Sequence, residues 1–209
     1  MSSFSQTISV NQAYANQWQS QLMMDWDEMG EIKFNDADLR ILMLDDNFTK
    51  ECIRSIAVYK CPLYDNQLIQ LLDNHQFVVL QTDNCWYSIE KNSHFIQMQR
   101  SNRIENVQCY IRKDRRRTPI KGISFDSCQQ LKTMSDLIHF LLENQELGKI
   151  YDLVFSNCQA FVKRIFDKFA ATKKHEIMLG CSPTLEVTPR SEEHTSELQS
   201  RGLISYAVF

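Results

Sequence analysis

Residues 75–112 alternate short apolar, β-branched runs with turn residues, and this pattern constrains the fold more than any other feature of the chain. The run 75–82 has the centre Phe-Val-Val-Leu. Asp83-Asn84 supplies turn chemistry, and 86–90 resumes as a strand, which predicts a hairpin. Lys91-Asn92-Ser93 turns the chain into 94–100, and 107–112 reads as a further strand. Strands in series over so short a stretch predict an antiparallel meander. Alternation along 86–90 places Trp86, Ser88 and Glu90 on one face and Tyr87 and Ile89 on the other.

Helical spacing dominates elsewhere. Asn35 precedes an apolar stretch as a helix cap. Residues 52–61 fit a strand or a helix, and their β-branched content favours the strand; Pro62 then breaks the run, and 64–72 reads as a helical turn or short helix. Leu137, Ile138, Leu141 and Leu142 repeat at helical intervals over 135–143, with Thr133 or Ser135 as cap. A short apolar lead-in at 151–155 precedes a helix over 156–171. Strands followed by helices predict an α+β fold in which an antiparallel meander sheet packs against helices. The expected division is a polar and helical N-terminal extension over 1–50, a domain over 51–172, and a C-terminal segment over 173–189.

Composition narrows the function classes. The 209 residues are 43% hydrophobic and 23% charged, which suits one domain with a real core. A net charge of -3 gives no general case for nucleic acid as a partner. The cysteines, Cys52, Cys61, Cys85, Cys109, Cys128, Cys158 and Cys181, are odd in number, scattered, and free of C-x-x-C spacing. That pattern predicts reduced thiols and a cytoplasmic location, and implies neither a metal site nor a cofactor. The polar N-terminus lacks the features of a secretory signal, Ser2 excludes myristoylation, and no apolar run is long enough to span a bilayer.

Ser156-Asn157-Cys158-Gln159-Ala160-Phe161 carries the chemistry. Ser156 and Gln159 stand in capping-box spacing, and Asn157 is itself a good N-cap. Either register sets Cys158 in the first helical turn, where unpaired N–H groups and the macrodipole lower a thiol pKa. The same N–H groups suit an oxyanion. Val162, Ile165 and Phe169 share a stripe with Cys158, so its sulfur is expected to face the body of the domain. A nucleophilic thiol needs a base, and His75 opens the best strand. Glu90 or Ser88 on the partner strand would orient it, Glu90 being preferred because a carboxylate also stabilises imidazolium. His94, His139 and His175 show no partner pattern and read as structural or exposed. The basic cluster at 112–117 reads as a solvated hairpin loop ahead of Pro119, with phosphate contact as the alternative.

A histidine opening a strand, a polar residue on the next strand, and Asn157-Cys158 with Phe161 and Val162 at a helix start resemble the circularly permuted papain fold of the NlpC-type superfamily. The lecithin–retinol acyltransferase-like proteins are its best-known members, and the resemblance covers about residues 54–169. It implies a catalytic thiolate, a histidine base and a thioester intermediate: a cysteine-dependent hydrolase or acyltransferase acting on an amide, ester or isopeptide carbonyl. The substrate would be a peptide, lipid or acyl compound. Gln76-Phe77 after the histidine, and Ser88 and Glu90 where those enzymes carry a second histidine, depart from the acyltransferase pattern. A non-catalytic peptide- or lipid-binding module on the same fold is the alternative. Residues 190–209 resemble the in-frame translation of a sequencing adapter and are expected to be non-native, so His194 is given no role.

Overall fold

The computed structural model describes residues 17–26, 30–45, 48, 50–62, 74–111, 114–128, 132–152 and 156–172. Its centre is a seven-stranded sheet formed by β1 (Leu22–Trp26), β2 (Gly30–Phe34), β3 (Ile53–Pro62), β4 (Asn74–Thr82), β5 (Trp86–Lys91), β6 (Ile96–Ser101) and β9 (Lys121–Ser127). The order across it is β2-β1-β6-β5-β4-β3-β9. Strands β4 to β6 follow the expected meander, and β3 extends it, each antiparallel to the next. Among the described residues the one parallel pairing joins β1 to β6, with Leu22 beside Ile96 and Met24 beside Met98. Leu22–Trp26 and Gly30–Phe34, which lie within the expected N-terminal extension, thus supply two strands of the central sheet.

The sheet's two faces follow from residue alternation. Val78, Leu80, Tyr87 and Ile89 face the main core, where α3 (Met134–Glu143) and α4 (Cys158–Phe169) pack. Phe77 and Val79 face a smaller cluster with Tyr59, Cys61 and Val107. Helix α4 buries Cys158, Phe161, Val162, Ile165, Phe166 and Phe169, so the predicted stripe is the buried one. Each such large side chain contributes about 1.5–3 kcal/mol by leaving water. Asn35 caps α1 (Asp36–Leu42) and Thr133 caps α3, both through reciprocal bonds to the third helical residue.

One expected strand is corrected. Residues 104–109 form helix α2 (Ile104–Cys109), and only the two-residue strand β7 (Tyr110–Ile111) remains, paired with β8 (Asp114–Arg115). Val107 anchors the helix in the smaller core while Glu105 and Arg103 reach solvent, a burial pattern that β-propensity does not foresee. The expected elements at 64–72 and 151–155, and the tail at 190–209, fall wholly or mostly outside the described residues. Among the described residues no helix is long and apolar enough to cross a membrane.

Candidate active site

Asn157 rather than Ser156 caps α4. Its extended backbone and its side-chain carbonyl, which accepts the Ala160 N–H at 2.9 Å, place Cys158 first in the helix. The N–H groups of Cys158 and Gln159 then lie at the helix mouth, where helical geometry offers them no carbonyl. The Cys158 side chain is buried and reaches the opening of β4, with Sγ 4.0 Å from the Asn74 carbonyl. Burial would raise its pKa, but hydrogen bonding and charge from His75, with donation from the Gln76 N–H and Tyr151, hold it below the ordinary thiol value.

His75 and Cys158, 83 positions apart in sequence, come close enough to shift each other's titration. The other side of the ring is occupied, since His75 Nε2 bonds Glu90 Oε2. Burial disfavours imidazolium, yet the bonds to Cys158 and Glu90 and their negative charges raise the His75 pKa to about 9. Both shifts, the sulfur's downward and the ring's upward, favour the thiolate–imidazolium form of the pair.

Glu90 has no exposed surface. Arg116 grips it bidentately, Nη1 to Oε2 at 2.9 Å and Nη2 to Oε1 at 2.6 Å. Burial pushes the carboxyl pKa up, but Arg116 and His75 hold it at about 2. The guanidinium also lies 3.9 Å from the centroid of Phe77, which is stacked on Tyr59. With sulfur and ring in the ionised form, Cys158, His75, Glu90 and Arg116 carry charges of alternating sign that sum to zero. Chemically, it presents a nucleophile, a proton donor and carrier, and a fixed anion behind the carrier.

Ser88 is buried on the Glu90 face but donates to Gln99 Oε1 at 3.4 Å, so Glu90 alone meets His75. Gln159 is exposed at the helix start, one residue beyond the sulfur. His94 and His139 are exposed, while His175 and His194 lie outside the described residues. The cysteines of the described residues form no disulfide with one another, and no group of three or more His, Cys, Asp or Glu among those residues could hold a metal.

Compared with known proteins, the chain matches no family model, no curated protein and no solved structure. The site therefore rests on its own geometry.

Two of its residues escaped the sequence reading. Arg116 belongs to the basic cluster taken for a solvated loop; Arg115 and Arg117 are exposed as expected, but Arg116 turns inward. The signal for it was indirect: a carboxylate on a central strand requires a cation somewhere. Lys91 is the other. It is fully buried, donates to the Lys149 carbonyl at 2.5 Å and Ser156 Oγ at 2.7 Å, and packs over Trp18. It ties the approach to α4 to the strand that carries Glu90. Burial, outweighing attraction by Glu146, lowers its pKa to about 8. Extending the alternation of 86–90 by one residue puts Lys91 on the core-facing side with Tyr87 and Ile89, but Lys91 reads as part of the following turn.

Proposed function

We propose that the chain is a cysteine-dependent hydrolase or acyltransferase of permuted papain type, acting on an amide, ester or isopeptide carbonyl through a thioester. The observation that carries this reading is the His75 ring lodged between the Cys158 sulfur and the Glu90 carboxylate. Cys158 Sγ attacks the carbonyl carbon and the carbonyl π pair moves onto oxygen. The helix-mouth N–H groups of Cys158 and Gln159 face the oxyanion. As that oxygen re-forms its double bond, the bond to the leaving nitrogen or oxygen breaks, and His75 gives that atom its proton. Neutral His75 then takes a proton from water or another acceptor as it attacks the thioester. Release of the acyl product regenerates thiolate and imidazolium.

Glu90 holds the ring and stabilises its charge in both halves of the reaction, without itself exchanging a proton. Arg116 keeps Glu90 ionised, and Lys91 fixes the turn leading into Cys158. A merely structural cysteine would gain nothing from a histidine on one side and a buried ion pair behind it.

Iodoacetamide labelling of the full chain, followed by peptide mapping, tests the reading. The Cys158 peptide should alkylate well below the ordinary thiol range, roughly pH 8.5. His75→Gln should move its profile up toward that range. Ordinary thiol behaviour of Cys158 in the unaltered chain would reject the nucleophile.

A further inference from the structure

The central sheet ends on one side at β2, and among the described residues no strand pairs with the outer edge of β2. An open edge is a row of unpaired N–H and C=O groups that invites another strand, and proteins usually blunt it. The opposite edge strand, β9, is blunted. Its pairing with β3 shifts register between Val58 and Tyr59, and Ala170 and Ala171 meet its C-terminal end through a bridge to Cys128 and a bond to the Ser127 carbonyl. In contrast, β2 keeps one unbroken register against β1 from Gly30 to Phe34. Its middle residues, Glu31, Ile32 and Lys33, are exposed.

We propose that β2 is a docking edge for a second copy of this chain, the two strands pairing antiparallel about a two-fold axis at Ile32 so that the two sheets run on as one. Edge charges ordinarily repel a stray strand, but on β2 opposite charges flank Ile32 on either side. Under this two-fold, Glu31 of each copy lies directly opposite Lys33 of the other on one sheet face, and Ile32 meets Ile32 on the other face. Other alignments lose the match. A parallel pairing in register, or an antiparallel slip of two residues, sets like charges opposite each other, and a slip of one leaves both charges without a partner. A two-fold interface requires this kind of self-complementarity, and complementary charge fixes partner and register more than it adds affinity. Gly30 then lies opposite Phe34 of the second copy. Its φ is +74°, and no heavy atom stands within 4 Å of where a Cβ would be, so the facing ring has room to extend over it. The interface stands whether or not Cys158 is a nucleophile.

Sedimentation equilibrium of the full chain over a concentration series tests the interface. The unaltered chain should dimerise, and added salt should weaken the dimer. Glu31→Lys and Lys33→Glu each turn both attractive pairs into repulsive ones, so each variant alone should raise the dimer Kd by about tenfold or more. Mixed in equal amounts, the two variants should associate with one another, and the double exchange within one chain should restore the homodimer. Both positions are exposed, so each variant at low concentration should keep its thermal transition. Zero-length carbodiimide coupling of isotope-labelled with unlabelled chains should join Lys33 of one copy to Glu31 of the other. A chain that stays monomeric up to about 1 mM, a dimer that neither charge reversal moves, single variants that fail to pair with each other, or cross-links between copies confined to other surfaces would each overturn the proposal.

Discussion

Glu90 is ionised with no exposed surface, and a buried charge survives folding only when it is neutralised and hydrogen-bonded. Arg116 does this through two bonds, and the guanidinium is itself 5% exposed. Removing one member of such a pair strands the other. Arg116→Met should therefore cost about 3–5 kcal/mol in urea unfolding, while Glu90→Leu combined with Arg116→Met should cost less than either change alone. Linkage adds a sign. The Glu90 carboxyl falls from an ordinary 4.5 to about 2 on folding. Its contribution is therefore complete above about pH 4.5 and lost as pH drops toward 2. The stability gap between the unaltered chain and Glu90→Gln should shrink over that interval, and a gap constant from pH 5 to 2 would contradict the assignment. The same substitution reads out on the ring: the His75 Hε1 resonance should titrate near 9 and move lower in Glu90→Gln, because one of the two anions holding the proton is gone. Cys158, His75 and Glu90 were legible because helix caps and strand ends have local signatures. Arg116 was not, because nothing in Arg115-Arg116-Arg117 marks which of three cations turns inward.

At the level of elements, the helix that opens on Cys158 depends on one side chain for its start. Asn157→Ala should cost about 1 kcal/mol in stability and Asn157→Ser close to nothing, since serine caps as well. Asn157→Asp separates the two jobs of that position. A carboxylate beside the helix start suits the macrodipole and should leave stability equal or higher. The same charge next to the sulfur disfavours thiolate and should move Cys158 alkylation to higher pH. A drop in stability, or an unmoved profile, would show that the cap and the sulfur are not coupled as described. Apolar runs bounded by turn residues located β4 to β6, helical spacing located α3 and α4, and β-branched content favoured a strand at β3. The same cues failed at 104–109, where a single buried residue, Val107, decides between helix and strand through packing on the smaller core. The cap at Thr133 needed its partner Asp136 in view before Ser135 could be set aside.

On the scale of the whole molecule, the part least legible was how the chain closes its sheet. Leu22, Met23 and Met24 are too brief a run to announce a strand, and nothing local pairs them with residues more than seventy positions away. Only the assembled sheet shows the need. Without β1, strand β6 would be an unprotected edge carrying Ile96 and Met98, both fully buried in the complete fold. Leu22 and Met24 complete the main core from that side, and Trp18 reaches across to donate to the Leu147 carbonyl at 2.9 Å while its ring sits beneath Lys91. The first strand and the approach to Cys158 thus share a support. Met24→Ala should cost about 2–5 kcal/mol by the usual arithmetic of a buried large-to-small change. Deleting residues 1–34 should do more, exposing the β6 edge and freeing Lys91 from Trp18. The shortened chain should aggregate or melt without cooperativity, and Cys158 should lose its reactivity in acid. A soluble product with a sharp thermal transition and an unaltered Cys158 alkylation profile would place β1 and β2 outside the folding unit and leave the candidate site standing on β3 to β6 and α4 alone.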